Sequence, residues 1–96
     1  IKVSDGISIS NRVLVSILKD RCSKNNIPYQ LEVNDCGGSE VAVIAQTEYP
    51  TAICGVSIPA YNIHTAQTVI NKKNVENTKK LLKKVICAEI PIDNLK

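Results

Sequence analysis

The sequence contains no Phe and no Trp, and its three Tyr are its only aromatic residues. Proteins that stack bases need aromatic side chains, and a net charge of +3 is too small to indicate a phosphate-binding surface. No stretch of the 96 residues is apolar over the length that a membrane-spanning helix requires. We therefore expect neither nucleic acid nor a membrane among the partners, and a core built from aliphatic side chains.

The cysteines lack the spacing of a metal site. Cys22, Cys36, Cys54 and Cys87 stand far apart, without the CxxC or CxH pattern typical of zinc sites. A disulfide framework is typical of small secreted proteins, and these residues contain no signal-peptide pattern. We interpret the four as reduced thiols in a cytoplasmic protein, with Cys22, Cys54 and Cys87 acting as small buried hydrophobic residues.

Methionine is absent, and histidine occurs once, at His64. A chain that begins at Ile1 rather than at Met is expected to be part of a longer polypeptide. A single imidazole cannot hold a catalytic zinc, because such a zinc takes about three protein ligands. The question raised by His64 is therefore where its partners lie.

The spacing of apolar residues predicts three helices. The first covers residues 11–23, with Ser10 as its N-cap, and the second runs from Ser39 as N-cap to near Glu48. The last begins after Asn71 or Asn74 and ends at about Glu89. One face of the last helix is predicted from the residues Val75, Thr78, Leu82, Val85, Ile86 and Glu89, with Leu81 beside it.

Extended segments alternate with these helices. Residues 27–33 predict a strand with Tyr29, Leu31 and Val33 on its buried face. Residues 51–58 are nearly all apolar, which predicts a strand covered on both faces, and a loop after Pro59 then carries His64 to a short strand at 68–70. Lys2-Val3 is compatible with the end of another strand.

This order predicts an α/β fold with three layers, in which helices flank a mixed or mainly parallel sheet. Two or three strands make a poor sheet by themselves, so we expect residues 1–96 to be a segment of a larger domain. Gly37-Gly38-Ser39 could bring backbone N–H groups to an anion, but it matches neither the Walker pattern nor GxGxxG. We interpret it as a tight turn between strand and helix.

Two blocks of sequence, residues 27–41 and 49–82, resemble a known family. IPYQ followed by GGSEV is similar to its "IP-x-Q" strand and Gly-Gly-Thr-Asp-Ala turn. YPTAICGVSIPAYNIHTAQ is similar to its "G-(I/Y)-P-T-x-x-(I/V)-S-(I/V)-P" strand and "R-Y-M-H-S-x-x-E" loop. The family is the M42 metallopeptidases, also described as glutamyl or deblocking aminopeptidases and formerly labelled cellulases or endoglucanases.

The resemblance implies a fold and a chemistry. It implies the C-terminal part of a zinc-exopeptidase-like α/β/α catalytic domain that removes N-terminal residues from peptides in the cytoplasm. Two divalent metals, zinc or cobalt, would be bound per complete site, and family members commonly assemble as dodecamers. His64 maps to a metal ligand, whereas the other ligands and the catalytic glutamate map to polypeptide that precedes Ile1. With this one ligand, we expect the site to be empty and the chain inactive unless the remainder of the polypeptide is present.

Several residues depart from the family motifs. Tyr61 replaces the motif arginine, Asn62 the tyrosine, and Gln67 the glutamate after the histidine, while Ser39-Glu40-Val41 replaces Thr-Asp-Ala. Tyrosine cannot supply the planar bidentate donor of arginine. We predict that Ser39, Glu40, Tyr61 and Gln67 lie around the pocket, behind or beside the metal ligand. The alternative is a non-catalytic or degenerate α/β module that acts through association with other chains.

Overall fold

The computed structural model describes residues 1–34, 37–38, 40–47 and 51–87. In chain order, the elements are β1 (Lys2–Ser4), α1 (Arg12–Lys24), β2 (Glu32–Val33), α2 (Glu40–Ala45), β3 (Ala60–Tyr61), β4 (Val69–Ile70) and α3 (Lys72–Ile86). Helices and strands alternate as predicted, and the α/β class is confirmed. Within these residues, no helix combines the length and the apolar character that crossing a membrane would need.

The central sheet is small and parallel. β1 pairs with β2, with Lys2 opposite Glu32 and Ser4 opposite Val33. On its other side, β1 meets the segment around Gly55, where the Lys2 amide donates to the Gly55 carbonyl at 2.8 Å. The predicted strand over residues 51–58 is therefore wrong in extent, because Gly55 is its one bridged residue among those described.

The first helix begins one residue later than predicted. The Asn11 side chain accepts hydrogen bonds from the Val13 and Leu14 amides at 3.0 and 3.1 Å, which makes Asn11 the N-cap. Ser10 is buried, and its hydroxyl donates to the Lys2 carbonyl instead. Ser10 thus links the start of α1 to β1 instead of capping the helix, and the local sequence pattern does not reveal this long-range contact.

The core lies between α1 and α3. Cys22 is fully buried there and packs with Leu18, Ile27 and Leu81, at 6%, 4% and 4% exposure. Leu82 is 43% exposed and Ile86 is 79% exposed. The predicted face of the last helix is therefore wrong at Leu82 and Ile86, which are turned outward, and Leu81 is the buried residue. Val75, Thr78 and Val85 are half-buried on the inner side as expected, and Glu89 lies outside the described residues.

Three other sequence predictions need correction. Tyr29, Leu31 and Val33 are exposed at 40%, 48% and 65%, because no described residue covers that face of β2. Cys87, expected to be buried, is exposed, and Cys54 is half-buried. α2 ends at Ala45 rather than near Glu48. Its predicted cap, Ser39, and Cys36 lie outside the described residues.

Candidate functional site

His64 lies in the loop between the two strands of a hairpin. β3 and β4 pair in antiparallel fashion, with Ala60 opposite Ile70 and Tyr61 opposite Val69. This pairing fixes both ends of the loop formed by residues 62–68. The hairpin thus fixes both ends of the loop that carries His64.

Threonine hydroxyls hold the loop in shape. The Asn62 carbonyl accepts a hydrogen bond from Thr65 Oγ1 at 2.5 Å and another from Thr68 Oγ1 at 3.1 Å. Asn62 and His64 have φ angles of 57° and 63°, in the left-handed region. Asn and His are among the non-glycine residues that enter this region most readily. The two left-handed residues turn the chain on either side of Ile63.

The histidine borders a groove with a volume of about 1040 Å³. Around this groove lie Asp5, which directly follows β1, Glu32 from β2, and Asn74 and Asn77 from α3. Its walls also include the exposed apolar side chains Tyr29, Leu31, Val33, Ile58 and Ile63. The groove is therefore lined by both polar and apolar side chains, with one imidazole at its border.

The His64 side chain is exposed and engages no other described residue through a hydrogen bond or an ion pair. Both ring nitrogens are thus open to a ligand. Across the described ranges, no three His, Cys, Asp or Glu side chains come close enough to form a metal site together. His64 can accordingly supply one donor, and a complete site needs donors from elsewhere.

Asp5 is a groove residue that the sequence pattern did not single out. Its side chain is 1% exposed, and Oδ1 accepts hydrogen bonds from the Ile7 amide, the Ser8 amide and the Ser8 hydroxyl at 3.0, 2.9 and 3.0 Å. The Ile7 amide in particular lowers the pKa of Asp5; desolvation opposes it, and Ser8 and Lys2 add to the lowering. Asp followed by Gly and then Ser three residues later is a signal for a turn.

Lys2 lies between the two groove carboxylates. Its Nζ is 3.4 Å from Asp5 Oδ2 and 4.0 Å from Glu32 Oε1. Glu32 Oε1 also accepts a hydrogen bond from Asn34 Nδ2 at 2.6 Å. Both carboxylates are therefore engaged in holding the turn and the sheet together.

The other predicted site residues are not among those that line the groove. Glu40 is the exposed first residue of α2, Tyr61 is 76% exposed, and Gln67 is exposed. None of these three borders the groove beside His64. Ser39 lies outside the described residues. A position for all four around a metal pocket remains a prediction.

Comparison with known proteins identifies the family. The sequence model of the M42 glutamyl aminopeptidases matches residues 1–81, which include the groove carboxylates and His64. The chain belongs to this family. The resemblance seen in the sequence is thereby confirmed, and the M42 match extends to the first residues of the chain, beyond the two blocks that suggested it.

Two relatives show how much of an M42 protein is present. A protein of Acetivibrio thermocellus named "Putative aminopeptidase" is 33% identical over 87 residues, which are 91% of this chain and 26% of that protein. The structure of aminopeptidase APDkam598 from the archaeon Desulfurococcus kamchatkensis superposes with a TM-score of 0.84 at 29% identity. That similarity covers 88% of this chain and 25% of the other. The M42 chain thus spans about a quarter of the length of these relatives.

Proposed function

We propose that this M42 chain forms part of a metal-dependent aminopeptidase in which His64 is one ligand of a two-metal site. One observation carries the proposal: the family match includes the single histidine, whose imidazole lies beside a groove and binds no other described residue. The substrate would be the N-terminal end of a peptide. Zinc or cobalt is the metal that we propose.

The residues present fit a shared site. A neutral imidazole nitrogen is a good ligand for zinc or cobalt, and His64 offers one without breaking any bond to the described protein. Asp5 and Glu32 are already paired with Lys2 and with nearby donors. The remaining ligands would therefore come from other parts of the polypeptide. When bound, the metals would polarise the scissile carbonyl and lower the pKa of a bound water.

The role of this chain would be to orient the ligand and to form one wall of the substrate groove. The hairpin and the Asn62–threonine hydrogen bonds hold the loop, so the imidazole would be directed before a metal arrives. The apolar groove side chains, among them Leu31 and Ile58, would exclude water from the bound peptide. The exposed face of β2 would be covered by the rest of the polypeptide or by another copy, in keeping with a homo-oligomer.

The test is metal content and activity of the complete polypeptide carrying His64→Ala, with Gln67→Ala as the matched control. Gln67 belongs to the same loop and is also exposed, but it does not border the groove. We expect His64→Ala to lose at least one metal per chain by elemental mass spectrometry. Aminopeptidase activity should fall by more than roughly 100-fold, because losing a ligand should cost more than losing a residue that only hydrogen-bonds to a ligand.

Two results would contradict the proposal. Unchanged metal content in His64→Ala would remove His64 from the ligand set. No metal and no peptidase activity in the unaltered polypeptide would favour the non-catalytic α/β module, for which the motif departures at Tyr61 and Asn62 are the supporting observation.

A further inference from the structure

Helix α3 has two faces with different surroundings. Leu81 is buried in the core, and Val85 packs against it. Asn74, Asn77 and Thr78 face the groove that contains His64. This inner face is occupied by contacts within the domain, so any other role of α3 depends on its outer face.

The outer face is strongly basic. Six lysines and one glutamate occur along the 15 residues of α3, and all six lysines are exposed: Lys72, Lys73, Lys79, Lys80, Lys83 and Lys84. The one ion pair of this helix with any described residue joins Lys79 Nζ to Glu76 Oε1 at 3.9 Å. The other five lysines therefore have no acidic partner among the described residues, and Lys79 has only this exposed, long pair with Glu76.

An exposed apolar pair borders the basic face. Leu82 and Ile86 are four residues apart, and they are 43% and 79% exposed. At about 100° per residue, the pair lies roughly 60° around the helix from Lys79 and Lys83, and roughly 160° from Lys80 and Lys84. Lys79 and Lys83 are thus the lysines beside the apolar pair, and Lys80 and Lys84 lie on the opposite side.

We propose that Leu82, Ile86, Lys79 and Lys83 form a docking surface for an amphipathic helix of a protein partner. The apolar stripe of that helix would be bordered by Asp or Glu. Leu82 and Ile86 have the i, i+4 spacing of helix-pairing anchors, and the lysines beside them require negative charge opposite. None of these four residues lines the groove, so this inference is independent of the proposed peptidase function.

The observations favour a protein over other anionic partners. Nucleic acid would use the lysines, but it would gain little from an aliphatic pair, and no aromatic side chain occurs on α3 for base stacking. An anionic membrane would require a broad apolar face, and here that face of the helix is buried against the core. A helix with mixed acidic and apolar side chains satisfies both parts of the surface.

The test uses a fluorescent synthetic helix with Leu at i, i+4 and i+7 and Glu beside them, titrated with the complete polypeptide in an anisotropy assay. The double variant Lys79→Glu/Lys83→Glu should weaken binding at least tenfold. The matched control Lys80→Glu/Lys84→Glu makes the same change in charge on the opposite side, and it should change the affinity less than twofold. Leu82→Ser/Ile86→Ser should also weaken binding at least tenfold, with unchanged circular dichroism.

Several outcomes would overturn the inference. Absence of peptide binding would do so directly. Equal losses in the two lysine double variants would show attraction to net charge rather than a docking surface. Tighter binding of a DNA duplex, or of phosphatidylserine vesicles, than of the peptide would indicate one of the other partner classes.

Discussion

Replacing Leu81 with Ala tests how α3 is attached to the rest of the fold. Leu81 is 4% exposed and lies in the core with Leu18, Cys22 and Ile27 of the α1 region. Its neighbour Leu82 has the same chemistry and sits in the same helix, but it is 43% exposed. Leu82→Ala is therefore a matched control that removes the same atoms from a different environment.

The expected magnitudes differ clearly. Truncating a buried Leu to Ala costs about 2–5 kcal/mol, which includes the cavity left behind. Leu81 also borders the groove, so its cavity would open toward solvent and partly collapse. We therefore expect the lower part of the range, about 2–3 kcal/mol, for Leu81→Ala. Leu82→Ala leaves no enclosed cavity and should cost about 1 kcal/mol or less.

Native-state hydrogen exchange of the complete polypeptide would measure these costs locally. Because 1.4 kcal/mol is a factor of ten, Leu81→Ala should lower the protection of the α3 amides by roughly 30- to 150-fold. Leu82→Ala should lower it by about fivefold at most. A larger effect from Leu82→Ala than from Leu81→Ala would refute the assigned rotation of α3. It would favour the helix face predicted from the sequence pattern.

The other predictions concern thiols, acid stability and a helix cap. Burial raises the pKa of the Cys22 thiol, so iodoacetamide at pH 8 should alkylate the exposed Cys87 well before Cys22. Peptide mass spectrometry would follow both reactions, and faster alkylation of Cys22 would contradict its burial. The pKa of Asp5 lies below its ordinary value of 3.8, mainly because the Ile7 amide donates a hydrogen bond to the carboxylate. Ionised Asp5 therefore stabilises the fold above pH 3.8, and this contribution is lost as the pH falls through the pKa of the folded state. Urea titrations should therefore show a gap between the native protein and Asp5→Asn at pH 6 that narrows below pH 4, and a constant gap would count against this. Asn11→Ala should cost about 1 kcal/mol because two amides lose their cap, whereas no change by urea titration would mean that another group replaces it.

The helices were largely predictable because their signals are local. The i, i+3, i+4 spacing located α1, and both Asn11 and Asn71 are residue types that favour N-caps. The error at Ser10 arose because its hydroxyl is used by a distant carbonyl, that of Lys2. Likewise, Leu81 and Leu82 are adjacent apolar residues 100° apart, and only the position of α1 decides which of them is buried.

The strands were less predictable, because a strand exists only with a partner. Residues 51–58 have the composition of a buried strand, yet pairing among the described residues reaches only Gly55. Tyr29, Leu31 and Val33 alternate as expected for one covered face, but that face is exposed. Their pattern is consistent with the longer polypeptides of the relatives, of which this chain spans about a quarter.

The histidine was found from the sequence, and the groove around it was not. A motif resemblance located His64 because the motif is contiguous. Asp5 and Glu32 reach the same groove from residues 59 and 32 positions earlier, and only the parallel pairing of β1 with β2 brings them there. Lys2 then binds both carboxylates, a set of contacts that no local pattern contains.

These contacts would make the proposed metal binding separable from folding. If Asp5 or Glu32 were a metal ligand, the metal would first have to break the ion pair between that carboxylate and Lys2. His64 carries no such cost, because no described residue depends on its imidazole. The loop that holds it is fixed instead by the Asn62 carbonyl and two threonine hydroxyls. His64→Ala should therefore lose metal while keeping the hydrogen-exchange protection of α1 and α3. Asp5→Asn should do the reverse, weakening the turn and leaving the metal content unchanged.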